Sequence, residues 1–558
     1  MKSKRKHRDE RLRPTGTQKR RSNWARRLTA IEWTVALIAT GVAVTLNLAF
    51  LVHAGALWRD EVNSVNSAAA PSLSEMWRLT EFESFPLAWT LLLRGWMEIG
   101  AGASDAGLRL FGVFGGLTIP AAIWFAARRL GRAVPLVSLA LVAVNPEVTR
   151  WGASVRAWGV GTSLIIAAFV LMWDVLERPM RGQVLRATIA VVLSVQCVYQ
   201  NGVLVAAVVA GWLAVALVRR EWKRALVPLG IGALAAVSLL PYAALLRRRA
   251  DWNALSQVPL TPTDVLTKGW EVIAASGTFV GLCWIAVVST GLVWAIVRTR
   301  SVLRSSGTDT SRDLGIYAAT VLIASIIGVG LFYLAFSFPT QPWYYIGLTG
   351  LVAVSAEAAL GSALGGTIAG RTALTVSALC ILTTGFSSAR ASMAERQTNL
   401  DVVATQLRTQ AQPGDLVLVT PCFYGVTFGR YYTSGASVMT IPPLDDTRVH
   451  RYDLLKQKML SADPIGPVLT RIRKVLESGG RVWLVGRLLA PAELTPTKLP
   501  PPPLPGTNWH SLPYEQTWSL QVVAFLKAHA QAIHPIPVTV KGGRFESGGI
   551  SVIQGWHE

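Results

Sequence analysis

Two adjacent carboxylates, Asp60 and Glu61, stand directly after the first long apolar segment, residues 31–52. Charge beside a bilayer costs energy, so an ionisable pair at the mouth of a helix bundle is by default a hypothesis about function. A carboxylate in such a place can take the proton of a substrate hydroxyl. The alternative is that both acids are simply solvated in an external loop, and position alone favours neither interpretation.

Several arginines at the ends of later apolar segments are candidates for holding a phosphate. They are Arg109, Arg150, Arg156, Arg247 and Arg248. A guanidinium group matches phosphate oxygens and keeps its charge, although an arginine at a helix end can also just reach the lipid headgroups. A carboxylate base together with such cations favours a reaction in which a hydroxyl is deprotonated and a phosphate departs.

We expect no cofactor, with a divalent metal left open as an alternative. The four cysteines have no CxxC spacing, and the seven histidines contain no i, i+4 pair. A monophosphate leaving group can be neutralised by arginines alone. The alternative remains because Glu75, Glu81 and Glu83 stand close to the acidic pair in the sequence, and carboxylates bind hard divalent ions.

Composition predicts a polytopic α-helical membrane protein. Of the 558 residues, 51% are hydrophobic and only 15% charged, and the apolar residues fall in long runs. The net charge of +22 would suggest nucleic acid in a soluble protein. Here the basic residues cluster at the ends of apolar runs, as the positive-inside rule requires, so we expect no nucleic-acid partner.

Charge and hydropathy divide the chain into three parts. Residues 1–28 are predicted to be a disordered basic tail in the cytoplasm. Residues 29–389 form the membrane domain, whose first outer loop, residues 53–106, carries interfacial or re-entrant helices over 73–99. About eleven spans are predicted, at residues 31–52, 107–127, 133–145, 153–173, 185–199, 203–218, 225–246, 272–297, 315–336, 343–360 and 373–386.

Residues 390–558 are predicted to form a soluble α/β domain, which the helix count places outside the cytoplasm. The predicted strands are at 416–420, 481–485, 536–540 and 549–554, and the helices at 399–410, 467–477 and 517–530. A proline-rich linker occupies residues 499–505. No GxGxxG or P-loop is present in the sequence, so no nucleotide is expected.

Four segments resemble motifs of the GT-C superfamily of integral-membrane glycosyltransferases, in the branch of protein O-mannosyltransferases and lipid A aminoarabinose transferases. They are the acidic pair Asp60-Glu61, Ser84 to Trp89 leading to Leu108-Arg109-Leu110-Phe111, Ser154 to Trp158, and Pro339 to Tyr345. Their order, spacing and sidedness in combination carry the resemblance. Relatives often have a histidine ahead of the proline pair and an arginine in the late turn. This chain has Ser84-Phe85 and Trp343-Tyr344-Tyr345 there, at positions expected to shape the substrate cavity.

The resemblance implies an inverting transferase that moves a hexose or pentose from a polyprenyl-phosphate donor to an acceptor hydroxyl or amine. It places the reaction on the outer face of a bacterial cytoplasmic membrane. Asp60 would be the general base, and Glu61 would orient the acceptor or a neighbouring arginine. The substrate-binding residues would be Arg109, Arg156, Arg150, Arg247, Arg248, Tyr344 and Tyr345. The acceptor stays open among protein, lipid and polysaccharide, and membrane lipids are expected partners near Arg247.

Two other functions remain as alternatives. A transporter or flippase for lipid-linked envelope precursors would also have many helices and intramembrane arginines. Such proteins usually show an internal repeat with paired broken helices, and none is visible in the sequence. A non-catalytic envelope scaffold would use the terminal domain as its interaction module, and it predicts nothing special about Asp60.

Overall fold

The computed structural model describes residues 16–252, 260–302, 310–336, 340–433, 435–487 and 510–558. Three sequence predictions lie wholly or partly outside these ranges. They are the basic tail up to residue 15, Pro339 at the start of the late turn, and the proline-rich linker 499–505.

A bundle of helices makes up most of the described chain. Its longer helices are Gly16–His53, Asp105–Arg129, Trp158–Glu177, Arg181–Cys197, Asn201–Arg219, Leu226–Ser238, Ala243–Trp252, Pro262–Ile273, Thr278–Val302, Thr310–Phe336, Ile346–Leu364 and Ile368–Met393. Between them lie two short helices, Val137–Ala143 and Pro146–Gly152, and the single turns Trp222–Ala225, Leu240–Tyr242 and Pro342–Tyr345. The apolar faces of these helices form one large shared core.

The bundle contains fewer full-length membrane helices than the eleven spans predicted. Among the described residues, eight helices are long and apolar enough to cross a membrane, or nine if a pair bent by 108° counts as one span. That pair is Pro262–Ile273 and the helix that begins at Thr278. Two further predicted spans do not reach this length. The span predicted at 185–199 is a helix of 17 residues, Arg181–Cys197, and the one predicted at 133–145 is replaced by two helices of seven residues each, Val137–Ala143 and Pro146–Gly152. Hydropathy alone did not reveal these breaks. The chain is an integral membrane protein.

The predicted disordered tail is wrong for residues 16–28, because the first helix already begins at Gly16. Starting a helix costs more than extending one, and the apolar segment that follows supplies the starting turns. Residues 16–28 contain no proline, and arginine, lysine, glutamine, alanine and leucine favour helix there. The basic segment therefore extends the first long helix.

Glycines let the helix Asp105–Arg129 approach the chain around residue 153 very closely. A Cβ atom at Gly112 would lie 2.3 Å from the carbonyl oxygen of Ala153, and one at Gly159 would lie 2.7 Å from that of Gly115. Larger side chains at these positions would push the helices apart. This close packing holds the segment that contains Arg156 against the bundle.

Different charged residues lie at the two ends of the bundle. At one end, Arg129 pairs with Asp174, and Arg219 pairs with Asp313, each at 2.7 Å. Both arginines stand among other basic residues at the ends of apolar segments. The acidic pair of the first loop lies at the opposite end, where the helix Trp158–Glu177 begins.

The segment between the first two long helices folds into three short helices, here called the first-loop helices. They are Arg59–Ala68, Leu73–Leu79 and Leu87–Glu98, with a single turn at Thr80–Phe82. All three are too short to cross a bilayer. The sequence predicted such short helices over residues 73–99, and the structure adds the one that carries Asp60.

Residues 400–556, here called the sheet domain, surround a five-stranded sheet. The strands are β1 (Leu416–Thr420), β2 (Ser437–Thr440), β3 (Val482–Gly486), β4 (Ala530–Ile536) and β5 (Ile550–Trp556), in the order β2-β1-β3-β5-β4. β1 pairs in parallel with β2 and β3, whereas β5 pairs antiparallel with β3 and β4. The helices, which give each face of the sheet its own core, are Leu400–Gln410, Tyr424–Tyr431, Tyr452–Leu460, Gly466–Glu477 and Leu512–His529.

Hydrogen bonds join the sheet domain to the first loop. The Tyr431 hydroxyl lies 2.5 Å from Asp105 and accepts a hydrogen bond from the Leu57 amide at 2.8 Å. Arg430 donates to the same Asp105 at 2.7 Å. Asn66 donates to the carbonyl of Arg448 at 2.7 Å. The sheet domain thus forms one wall of the region around Asp60.

Candidate active site

The acidic pair lies in the first turn of the helix Arg59–Ala68. The chain turns into this helix at Gly55, whose φ of +69° favours glycine. The Trp58 amide donates to the Glu61 carboxylate at 3.4 Å, and the positive end of the helix dipole favours acids here. Neighbouring helical residues point about 100° apart, so the two carboxylates meet different surroundings.

Asp60 is surrounded by three basic side chains. Its Oδ2 accepts from Arg156 Nη1 at 2.5 Å, and its Oδ1 lies 3.1 Å from His450 Nε2 and 3.5 Å from Arg59 Nε. The side chain is 15% exposed. Burial by itself would raise the pKa of Asp60, but Arg156, His450 and Arg59 together lower that pKa well below its ordinary range. Asp60 is therefore ionised, and it is a weak base while Arg156 binds it.

Arg156 brings together two of the segments that resemble the GT-C motifs. It lies just before the helix Trp158–Glu177, and its guanidinium stacks over Phe85 at 4.9 Å. Its side chain is 4% exposed. Within the part of the chain that the structure describes, its buried Nε has no hydrogen-bond partner. Arg156 therefore has a donor available for a further acceptor.

Two further buried carboxyls stand near this cluster. Glu83 accepts from the Asn63 amide at 2.7 Å, and burial raises the pKa of Glu83 more than Arg156 lowers it. Burial also raises the pKa of Glu546 to about 7, against the attraction of Arg59. Both groups thus favour the neutral form more than an exposed glutamate does, which leaves Asp60 as the more strongly ionised carboxylate of the cluster.

Glu61 and Arg109 form a closed internal pair, and the structure does not support a phosphate role for Arg109. Arg109 donates to Glu61 Oε1 at 2.5 Å and to the carbonyl of Ala56 at 2.7 Å, and both paired side chains are buried. The Val155 amide also donates to Glu61, at 3.1 Å. Of the two roles predicted for Glu61, orienting a neighbouring arginine fits this geometry, whereas contact with the acceptor does not.

The structure gives Arg150 and Arg248 acidic partners other than Asp60, and the phosphate role of Arg150, Arg247 and Arg248 stays a prediction. Arg150 is buried and donates to Glu147 at 2.9 Å and to the carbonyl of Ser392 at 2.7 Å. It ties two helices of the bundle together. Arg247 and Arg248 are exposed on the helix Ala243–Trp252, where Arg248 pairs with Glu81 at 3.1 Å.

The two tyrosines of the late turn lie in an aromatic wall of the bundle. The ring of Tyr344 packs against that of Trp158 at 5.6 Å. Tyr345 is buried, with its hydroxyl 3.3 Å from the carbonyl oxygen of Val265. Tyr344 therefore lies beside the segment that carries Arg156, whereas Tyr345 points toward the bent helix pair.

His450 and Arg59 complete the surroundings of Asp60, and the sequence analysis named neither. The seven histidines contain no i, i+4 pair, so nothing in the sequence placed one of them in a metal site. His450 also stands 390 residues after Asp60 in the chain, and only the fold of the sheet domain brings them together. Arg59 directly precedes the acidic pair, so its position was the one available signal.

A divalent metal remained an alternative in the sequence because of three glutamates of the first loop, and these contact different partners. Glu75 pairs with Arg78, Glu81 with Arg248, and Glu83 with Asn63. Among the described residues, no group of three or more histidine, cysteine or acidic side chains is placed to hold a metal ion.

No protein-family profile and no curated protein sequence matches the chain. Solved structures do match. ArnT from Cupriavidus metallidurans bound to undecaprenyl phosphate is 12% identical and has a TM-score of 0.50, over 80% of this chain and 92% of its own. The same protein in the apo state is 13% identical with a TM-score of 0.49, over 82% and 93%. The chain therefore has the polytopic GT-C fold that its sequence motifs resemble.

Proposed function

We propose that this chain is a membrane glycosyltransferase that moves a sugar from a polyprenyl-phosphate donor to an acceptor hydroxyl or amine. One observation carries the proposal. A buried, ionised carboxylate, Asp60, lies between Arg156 on the bundle side and His450 on the sheet-domain side. On a GT-C fold, this arrangement supplies a proton acceptor, Asp60, in direct contact with an arginine that can bind a phosphate.

Arg156 is the proposed phosphate ligand. It is buried, it stacks on Phe85, and its Nε has a free donor within the described chain. The ArnT structure with the same fold is bound to undecaprenyl phosphate, which supports a polyprenyl-phosphate donor here. A phosphate on Arg156 would compete with Asp60 for the guanidinium. Asp60 would then lose its main stabilising charge and become a stronger base at the moment the donor is in place.

The proposed reaction is a single displacement with inversion. The acceptor hydroxyl gives its proton to Asp60 while its oxygen attacks the anomeric carbon of the donor sugar. The bond from that carbon to the phosphate oxygen breaks, and the electron pair leaves with the phosphate. Arg156 stabilises the charge that develops on the departing phosphate. We propose no metal for this step, since a monophosphate leaving group needs only cationic side chains.

We propose that the site and the sheet domain lie outside the cytoplasm. The pairs Arg129–Asp174 and Arg219–Asp313 mark the end of the bundle opposite to Asp60. Clusters of arginine and lysine beside membrane helices favour the cytoplasmic side. The N-terminus then lies in the cytoplasm and the reaction takes place at the outer surface of the membrane.

Lipid binding by the purified full chain tests the donor proposal. Undecaprenyl phosphate should raise the thermal unfolding temperature, whereas undecaprenol, which lacks the phosphate, should raise it much less. Arg156→Gln should remove that difference. Equal stabilisation by the two lipids in the wild-type chain would contradict a phosphate site. Turnover of a panel of undecaprenyl-phosphate sugars then identifies the donor.

A further inference from the structure

We propose that the acceptor is a neutral glycan, and that it binds in two adjoining cavities between the first-loop helices and the sheet domain. The inference rests on the proposed function, because it assigns the second substrate of the same site. It follows from where the cavities lie, how they connect and what charges line them.

The smaller cavity, of about 240 Å³, adjoins the Asp60 cluster directly. Arg59 and His450, which both contact Asp60 Oδ1, line it. Arg156 contacts the other oxygen, Oδ2, from the bundle. The two oxygens of Asp60 therefore face opposite substrates, with the donor phosphate on the bundle side and the acceptor hydroxyl on the sheet-domain side.

The larger cavity, of about 380 Å³, lies beside the smaller one. Val426, Thr447 and Val449 line both cavities, so the two share a wall. Residues of the first loop close the outer side, among them Ala69 and Pro71. The larger volume lies near the lower end of the range of small-molecule sites, about 300–1,000 Å³, and the smaller one lies below that range. Each is on the scale of one sugar ring or slightly more, so an acceptor with at least two linked sugar units fits them.

Three arginines that line the cavities are paired with acids, and Arg59, which also lines the smaller one, lies 3.5 Å from Asp60. Arg430 binds Asp105 at 2.7 Å, Arg448 binds Asp446 at 3.1 Å, and Arg451 binds Asp453 at 2.7 Å. Ion pairs present fixed hydrogen-bond donors and acceptors without net charge, which suits hydroxyl groups. A phosphate or carboxylate on the acceptor would need a cation without such a partner.

The positive charges around Asp60 would also be balanced once the donor is bound, which leaves none to bind an anionic acceptor. The two guanidinium groups of Arg59 and Arg156 face the one strongly ionised carboxylate of Asp60. The donor phosphodiester would supply the second negative charge and complete the balance. Burial raises the pKa of Glu515, which lines the smaller cavity, so this carboxyl favours the neutral form more than an exposed glutamate does.

A peptide acceptor fits this cleft less well. Extended peptides commonly bind by adding a strand to the free edge of a sheet. The outer strands of this sheet are β2 and β4, and no residue of either strand lines the two cavities. The walls come instead from helices and from the loop between β2 and the helix Tyr452–Leu460. They offer side chains rather than a row of backbone groups.

Gly429 provides a substitution that changes the larger cavity alone. It lies in the helix Tyr424–Tyr431, lines the larger cavity, and a Cβ atom placed there meets nothing within 4 Å. Gly429→Trp therefore adds a large ring at the wall of this cavity, and its Cβ atom meets no neighbour that would force the backbone to move. Gly429→Ala is the matched control, because it makes the same change from glycine within a helix but adds only a methyl group.

The experiment measures binding by saturation-transfer NMR to the full chain in a detergent that carries no sugar. The probes are glucose, mannose, a panel of neutral disaccharides, glucose 6-phosphate and the peptide Gly-Ser-Gly. We expect at least one disaccharide to bind about tenfold more tightly than its monosaccharide. Gly429→Trp should remove that advantage and leave monosaccharide binding unchanged, whereas Gly429→Ala should resemble the wild type. Thr447→Trp, in the shared wall, should weaken both.

Three results would overturn the inference. They are binding of no disaccharide, disaccharide binding that Gly429→Trp leaves intact, and tighter binding of glucose 6-phosphate or the peptide than of every neutral sugar. A second measurement, hydrolysis of undecaprenyl-phosphate sugars by water, distinguishes a wrong acceptor from a wrong function. Hydrolysis needs no acceptor, so it persists if the chain is a transferase with a different acceptor and is absent if the chain is not a transferase.

Discussion

Asp60 and Arg156 couple the proposed base to the proposed phosphate site through one contact of 2.5 Å. The arginine lowers the pKa of Asp60 and so makes it a weaker base. In the proposed reaction, a phosphate that took over the guanidinium would release the carboxylate. Proton abstraction would then depend on the presence of the donor.

The role of Arg156 is tested by Arg156→Lys. Lysine keeps the charge but loses the planar fork that matches two phosphate oxygens and the stacking on Phe85. We expect the KM for the donor lipid to rise about tenfold, the equivalent of about 1.4 kcal/mol, with the KM for the acceptor unchanged. Arg248→Lys, an exposed arginine paired with Glu81, is the control and should resemble the wild type. An increase confined to the acceptor KM would argue against a phosphate role.

His450 is expected to hold Asp60 in position for the acceptor. His450→Phe keeps an aromatic ring beside Tyr452 but removes the contact to Asp60. Hydrogen bonds to charged groups contribute about 1.5–3 kcal/mol, so kcat should fall about 10- to 100-fold. The donor KM should stay constant, because Arg156 is untouched. His529→Phe, which changes a histidine stacked on Trp556, is the matched control. A wild-type kcat for His450→Phe would remove this residue from the site.

At the residue scale, the sequence predicted Asp60 and Arg156 because charge beside apolar segments is informative. It assigned phosphate binding to Arg109 and Arg150 for the same reason, yet both are buried in ion pairs within the bundle. Sequence position does not distinguish an arginine that faces a cavity from one whose partner comes from another helix. His450 could not be predicted, since its relation to Asp60 exists only in the folded chain.

At the scale of elements, the loop before β5 inserts a buried carboxyl, Glu546, into the contact between the sheet domain and the first loop. Its Oε1 accepts from Thr427 at 2.9 Å, and within the described chain its Oε2 has no partner. Burial raises the pKa of Glu546 from 4.5 to about 7. Glu546 therefore binds a proton more tightly in the folded chain than in the unfolded chain.

The consequence is a pH-dependent stability. The contribution of Glu546 is fully present below pH 4.5 and is lost as the pH rises to about 7, by about 3 kcal/mol in total. Glu546→Gln has no proton to lose, so the variant should gain stability relative to the wild type between pH 4.5 and 7. Denaturant unfolding of the sheet domain in the full chain, followed at several pH values, measures this. Parallel curves for the two proteins would contradict the assignment.

Long apolar helices and the central strands were predictable, because their periodicity and length are visible locally. The sequence predicted β1 at 416–420, and the structure confirms it. It missed β2, whose four residues are half exposed, and placed the strand before β5 at 536–540, whereas β4 ends at Ile536. Short or exposed strands depend on their neighbours in the sheet more than on their own residues.

At the scale of the whole molecule, the site is shared between two parts of the chain. Asp60 and Arg156 come from the membrane part, whereas His450 and one wall of the acceptor cavities come from the sheet domain. The sequence alone did not assign a role in the reaction to the terminal domain. The contact between His450 and Asp60 favours a direct part in the site.

Activity is expected to be independent of divalent metal. Of the acids nearest the site in sequence, Glu75 pairs with Arg78, Glu81 pairs with Arg248, and Glu83 accepts from Asn63. Excess EDTA should therefore leave transfer within about twofold of the untreated rate. Loss of activity on chelation, restored by Mg²⁺ or Mn²⁺, would contradict the proposal that arginines alone neutralise the leaving phosphate.

The measurement that tests the central claim most directly is single-turnover transfer by Asp60→Asn, with the donor lipid already bound. Asparagine keeps the shape and can still contact His450, but it cannot take the acceptor proton at neutral pH. We predict a loss of at least about a hundredfold in the transfer rate, while undecaprenyl phosphate still stabilises the variant as it does the wild type. Transfer at the wild-type rate by a folded, lipid-binding Asp60→Asn protein would contradict the account.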